Sequence, residues 1–107
     1  METRYLFTQS KDKLIEKIID ADEVMINHMI FNQFEAFPTH ASNSNVYMLV
    51  IRGTLSLQLG EEPEKKHLSG SLVSIPYNVT MNVSNQDAEQ LEFFVIKAPH
   101  PRKYKEV

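Results

Sequence analysis

The sequence predicts an all-β chain folded as one small barrel or sandwich. Three observations carry this reading. Short apolar runs of strand length follow one another from residue 24 onward, at the spacing typical of sandwiches and barrels. Several of them alternate polar and apolar with period two, as a half-buried strand requires. The only glycines, Gly53, Gly60 and Gly70, fall between the runs and not inside them. A chain of 107 residues has room for a single core. We therefore treat 1–107 as one domain, with the barrel core at about 12–98 and a polar, proline-broken tail at 99–107.

The elements follow in order. Residues 10–21 are ambiguous on local signals. Ser10 is a plausible helix cap, and Leu14, Ile15, Ile18 and Ile19 fall on one side of a helix, yet the same stretch fits a strand. Val24 to Phe31 reads as a strand with two faces, Ile26/His28/Ile30 and Met25/Asn27/Met29/Phe31. Asn45 to Arg52 is nearly all apolar, the pattern of a strand buried on both faces. Gly53 turns the chain into Thr54–Leu59, whose Leu55, Leu57 and Leu59 share a face. Leu72 to Ile75 ends at Pro76, which cannot donate to a ladder. Val79, Met81 and Val83 then alternate with Thr80, Asn82 and Ser84. Asn85-Gln86-Asp87 is turn chemistry, and Leu91 to Ile96 is a last apolar run closed by Lys97.

Composition narrows the function classes. Net charge is -3 with the histidines neutral, which argues against nucleic acid, since a phosphate-binding surface needs a basic excess. The lysines at positions 11, 13, 17, 65 and 66 are interleaved with or follow acids and read as solvated faces. There is no cysteine, and the N-terminus has no long apolar stretch of signal-peptide type. No run approaches the roughly 20 residues that span a bilayer. The expectation is a cytoplasmic protein with no membrane partner.

Two stretches carry a family pattern. The first runs from His40 to Gly53 and the second is Gly70-x5-Pro76-x-Asn78-x2-Met81-x3-Asn85. They resemble the two motifs of the cupin family, G-x5-H-x-H-x3,4-E-x6-G and G-x5-P-x-G-x2-H-x3-N, over roughly residues 24–98. The resemblance implies a double-stranded β-helix, a jelly-roll variant, and it favours a strand for residues 10–21. It also implies four inward positions that hold iron, manganese, nickel or zinc. Here His40 stands at the first of them, with Ser42, Val46 and Met81 at the others. Valine has no lone pair, a thioether suits Cu(I) better than Fe(II) or Mn(II), and a protonated serine is a weak ligand. No cofactor is expected, and His40 is the one remaining candidate for a divalent metal. Asn43, Asn45 and His28 are the alternative donors.

Alternation says what replaces the metal. Val46, Met48 and Val50 share a face, as do Val79, Met81 and Val83. The resemblance points these faces inward, with His40, Ser42 and Asn45 at the rim. The expected ligand site is thus His40, Ser42, Asn45, Val46, Met48 and Met81, an apolar pocket for a small, partly apolar molecule. A barrel packed solid is the alternative. A cupin enzyme is another: a metal-independent isomerase, epimerase or cyclase with His40 as base, or a metal-dependent oxygenase. His28, between Ile26 and Ile30, reads as a satisfied strand histidine, whereas His67 and His100 read as exposed. Tyr47 and Tyr77 are expected to pack with a wet hydroxyl. Phe93 to Ile96 puts apolar groups on both faces of one strand, so we expect its outer face to be covered by a second copy in a homodimer.

Overall fold

Among the described residues, nine strands sort their side chains between a shared interior and an outer surface. A computed structural model describes residues 1–106 of the chain. The strands are β1 Leu14–Asp20, β2 Met25–Phe31, β3 His40–Ala41, β4 Val46–Arg52, β5 Thr54–Leu59, β6 Lys65–Leu68, β7 Leu72–Ile75, β8 Thr80–Ser84 and β9 Leu91–Lys97. A 3-10 helix, Pro101–Glu106, follows. One sheet has five strands in the order β1-β2-β9-β4-β7, and the other has four in the order β3-β8-β5-β6. All pairings are antiparallel. Between the sheets lie Met29, Phe31, Val46, Met48, Val50, Leu55, Leu57, Ile75, Met81, Val83, Leu91, Phe93 and Val95. This is the double-stranded β-helix that the motif spacing implied.

The ambiguous segment is a strand. β1 pairs with β2 from Leu14↔Ile30 to Asp20↔Met25, and the register shifts between Lys17 and Ile19. A bulge of that kind sets two residues against one. It breaks strict alternation, which is why the apolar spacing of this stretch also fits a helix.

The chain changes sheets at special backbone positions. Gly53 takes it from β4 to β5 with φ 77°, and a Cβ there would lie 2.5 Å from the Gln90 carbonyl oxygen. Only glycine meets both conditions. Asn78 stands at the glycine position of the second motif and adopts φ 64° between β7 and β8. Asparagine tolerates that left-handed region better than most residues. Phe34 stands six residues before His40, at the glycine position of the first motif, and has φ 69°. It is held there by a hydrogen bond from its own N–H to the Asn85 carbonyl at 2.6 Å. Asn85 itself is fully buried and donates from Nδ2 to the carbonyls of Phe31 (3.0 Å) and Glu89 (2.9 Å).

Three expectations are corrected. β4 is buried on one face only: Val46, Met48 and Val50 point inward, while Tyr47 and Ile51 remain exposed. It sits inside the five-stranded sheet between β9 and β7, with Leu49 on its outer face half-buried and Tyr47 and Ile51 left exposed. The outer face of β9 is partly covered by the chain itself, with Phe7 of the N-terminal arm packing edge-on to Phe94 at 5.1 Å. Neither His67 nor His100 is exposed. Both are half-buried, and His100 Nε2 lies 2.6 Å from Asp20 Oδ1.

The described part of the tail returns to the barrel. Tyr104 stacks on Tyr77 at 4.2 Å, and Ser44 Oγ donates to the Pro99 carbonyl at 2.5 Å. Arg102 Nε lies 2.6 Å from Asp22 Oδ1.

Phe34 offers a direct test of backbone strain. Its side chain is 71% exposed, so little packing is lost on removing it. A non-glycine residue in the left-handed region costs about 1–3 kcal/mol. Glycine recovers that, less about 0.5–1 kcal/mol of extra chain entropy. Phe34→Gly is expected to be more stable than wild type by about 1 kcal/mol in urea unfolding. A variant less stable than wild type would show that the Phe34 ring contributes more than its φ costs.

Candidate functional site

The interior is not packed solid. A cavity of about 180 Å³ opens between the sheets, lined by Ile15, Asn27, Met29, Phe37, His40, Val46, Met48, Met81, Val95 and Lys97. Alternation places each of them. Asn27 and Met29 share the inner face of β2, Val46 and Met48 that of β4, and Val95 and Lys97 that of β9. His40 is paired with Met81 across β3 and β8. The walls are mostly methyl, thioether and ring, and the polar groups are Asn27, His40 and Lys97.

Four of the six expected site residues meet here: His40, Val46, Met48 and Met81. Ser42 and Asn45 do not line the cavity. Ser42 is buried at the crossing between the sheets, where its Oγ donates to the Pro76 carbonyl at 2.6 Å and accepts from the Val79 N–H at 2.8 Å. Its N–H donates to the Val79 carbonyl (2.9 Å) and its carbonyl accepts from the Asn78 N–H (2.8 Å). Asn45 is exposed, and its carbonyl accepts from the Ala98 N–H at 3.1 Å.

His40 lies at the exposed mouth. Its Nδ1 is 2.8 Å from the Pro38 carbonyl oxygen, which can only accept. Nδ1 therefore carries the hydrogen, and the neutral ring keeps its lone pair on Nε2. Among the described residues no carboxylate orients it.

Asn27 and Lys97 were not singled out from sequence. The buried Oδ1 of Asn27 has no hydrogen-bond partner. Among the described residues no ion pair or hydrogen bond reaches the Lys97 ammonium, and the cavity lining contains no acid. Burial alone pushes the Lys97 ammonium below the ordinary lysine range. A signal for both was present. Asn27 shares a face with Met25, Met29 and Phe31, and extending Phe93–Val95 by two residues puts Lys97 on the inner face. A lysine at the end of an apolar run reads most simply as a strand stop.

The donor set does not fit the divalent metal that the motif resemblance implies. Of the four positions only His40 offers a good donor, because Val46 has none, Met81 offers a thioether and the Ser42 hydroxyl is committed to backbone. Of the alternative donors, Asn43 and Asn45 lie outside the cavity and His28 faces the other side of its sheet. The His28 ring is fully buried between Phe7 (4.8 Å) and Phe94 (4.9 Å). Its Nδ1 is 2.9 Å from Glu16 and its Nε2 2.7 Å from Glu92. Carboxylates on opposite nitrogens do not converge on one ion. Among the described residues no cluster of three His, Cys, Asp or Glu is arranged to hold a metal. Burial raises the Glu16 carboxyl, but the Thr8 N–H, His28 and the Thr8 hydroxyl together hold it below the usual range.

Comparison with known proteins gives the same architecture. No protein-family model matches the chain. It is 39% identical over 94 residues to the uncharacterised protein MJ0764 of Methanocaldococcus jannaschii, covering 88% of this chain and 81% of that one. The crystal structure of an RmlC-like cupin family protein with a double-stranded β-helix fold from the same organism superposes with TM-score 0.93 at 38% identity, over 98% of this chain and 97% of that one. A cupin superfamily protein from Desulfitobacterium hafniense (TM-score 0.74, 11% identity, 87% and 83% of the two chains) shares the fold. So does a putative mannose-6-phosphate isomerase from Ralstonia eutropha (TM-score 0.70, 14% identity, 83% and 86%). Among the described residues no helix is long and apolar enough to cross a membrane.

Lys97 gives the site a pH signature. Its folded-state pKa is lowered by burial, while the unfolded chain keeps the ordinary value near ~10.4. Between those two values the unfolded chain binds more protons, so stability rises with pH. Below both, the destabilisation is complete and flat. Lys97→Met removes it. The variant should be more stable than wild type at pH 7, and the gap should narrow as pH approaches the ordinary lysine value. Urea unfolding of both proteins at several pH values measures this. A gap that does not change with pH would mean Lys97 is as well solvated folded as unfolded.

Proposed function

The chain belongs to the RmlC-like cupin family, and on that premise we propose that its barrel binds a small, partly apolar molecule without a divalent metal. One observation carries the proposal: three of the four inward motif positions, His40, Val46 and Met81, line an open cavity whose walls are mostly apolar with a few polar groups among them. A packed barrel would leave no such space. The binding physics is simple. Met48, Met81, Val46 and Phe37 supply apolar contact, and the thioethers adapt to an irregular shape. Asn27, His40 and Lys97 orient the ligand. At about 180 Å³ the cavity is smaller than the roughly 300–1,000 Å³ typical of drug-sized ligands, so the ligand has few carbons. The lack of cysteine supports a cytoplasmic setting.

A second reading is favoured by His40. Its fixed tautomer leaves Nε2 free to accept a proton, as a metal-independent isomerase, epimerase or cyclase requires of a base. The lack of an orienting carboxylate and the exposed position of the ring make binding the better-supported reading. His40→Gln separates the two, since loss of turnover with binding retained would favour the enzyme.

For assembly we propose a homodimer through the outer face of the five-stranded sheet. Tyr47, Ile51 and Leu72 are exposed there beside one another on β4 and β7. Sedimentation should give a dimer for wild type and a monomer for Ile51→Glu. A wild-type monomer at millimolar concentration would rule the interface out.

The binding reading is tested by filling the cavity. Small-molecule fragments should perturb NMR signals of the Met48 and Met81 methyls in wild type. Val46→Phe occupies the space and should abolish those shifts, at a cost of about 1–3 kcal/mol in stability. Unchanged fragment shifts in a folded Val46→Phe protein would place binding elsewhere.

A further inference from the structure

Resting on the pocket reading, we infer that the ligand is a small hydroxy acid: its carboxylate sits on Lys97 and its hydroxyl accepts from the Asn27 amide Nδ2. Two independent features of the cavity wall ask for complementary groups. Lys97 is a half-buried ammonium with no ion pair, hydrogen bond or acid beside it in the lining. A cation in apolar surroundings costs free energy until an anion joins it. The Asn27 amide pairs with none of the described residues: its Oδ1 is sealed off, and its Nδ2 hydrogens are left to the cavity it lines. Polar groups in an apolar interior are almost always paired, so an amide donor without a partner on a cavity wall calls for an acceptor from the occupant.

The two groups are neighbours by register. Asn27 pairs with Val95 and Met25 with Lys97 across β2 and β9, so Asn27 and Lys97 are diagonal on one face of adjacent strands. Such diagonals are about 7–8 Å apart at Cα. A few-carbon molecule bridges that separation, and the remaining apolar wall of Met48 and Met81 receives its alkyl part. The only titratable side chains in the lining are His40 and Lys97. Neither is an acid, so nothing there competes with a carboxylate for the ammonium.

Three commercial probes isolate the two contacts. 3-Hydroxybutyrate carries both groups, butyrate lacks the hydroxyl and 1,3-butanediol lacks the charge. Calorimetric titration of the wild-type protein at pH 7 should rank 3-hydroxybutyrate first. The diol should bind at least about tenfold more weakly, as expected for loss of a charge-assisted bond, and butyrate several-fold more weakly. Lys97→Met should erase the advantage of the acid over the diol, and Asn27→Leu the advantage of the hydroxy acid over butyrate. Both variants replace a polar side chain by an apolar one of similar size, and their melting temperatures check folding. If Lys97→Met does not fold, acetylated Lys97 read by mass spectrometry serves the same comparison. Equal affinities for diol and hydroxy acid in wild type would overturn the anion assignment. Equal affinities for butyrate and hydroxy acid would overturn the hydroxyl assignment. If none of the three binds, the inference falls, and the pocket reading survives only if the fragment shifts abolished by Val46→Phe are present.

Discussion

The mouth of the barrel is pinned by one serine. Ser42 leaves β3 and meets the chain where it crosses from β7 to β8. Four hydrogen bonds converge on this residue, two through its hydroxyl and two through its backbone. Each contributes about 1 kcal/mol net, and the buried hydroxyl cannot lose its partners without a further cost. This clamp fixes the register that sets His40 beside Met81, and so holds one wall of the cavity against the other. It also explains why Ser42 is unavailable to a ligand: its donor and acceptor capacity is spent on Pro76 and Val79.

On the far side of the five-stranded sheet a second polar cluster does different work. Glu16, His28 and Glu92 link β1, β2 and β9 across their outer face, and Arg52 approaches Glu92 at 3.6 Å. The N-terminal arm closes over them. Thr8 gives its N–H and its hydroxyl to Glu16 at 2.7 and 2.9 Å, and Phe7 lies on the His28 ring. The inner face of the same strands carries the cavity. One sheet therefore separates a largely paired polar cluster outside, in which Arg52 Nε is left without a partner, from an unpaired polar pair inside. The contrast is one of place: Lys97 and Asn27 are unpaired on the wall of the cavity, whereas Arg52 Nε and Ser56 Oγ are unpaired away from it.

How far the sequence could be read follows from what each signal measures. Motif spacing reports backbone geometry, and that geometry survives at Gly53, Pro76 and Asn85 although the metal donors are gone. Alternation reports faces, so Val46, Met48 and Met81 were legible as inward. Ser42 and Asn45 were not: burial alternates through 41–48 with Ser42 buried and Asn45 exposed, and the Ser42 hydroxyl is taken by the Pro76 carbonyl and the Val79 N–H, which no spacing reveals. The outer face of β4 read as buried because its residues are apolar, but composition cannot distinguish a covered face from one awaiting a partner. Lys97 was overlooked for an energetic reason. Lysine is rarely buried without a partner, so a sequence reading assigns it to solvent by default. Its placement at the cavity breaks that rule, and such breaks cluster at functional sites.

The substitutions at the motif positions also change the sign of the site. A set of imidazoles and a carboxylate attracts a divalent cation. Val46 and Met81 contribute no formal charge, and Lys97, when protonated, makes the local charge positive. Two like charges a few ångströms apart in a poorly hydrated cavity repel by several kcal/mol at an effective dielectric near ~20. A metal entering beside His40 would meet that repulsion with one good donor to offset it. An anion meets the opposite: attraction from Lys97, no competing acid and apolar walls that weaken screening. On the proposed reading, the same barrel, with its backbone geometry intact, would favour an anion over a cation through a few inward side chains.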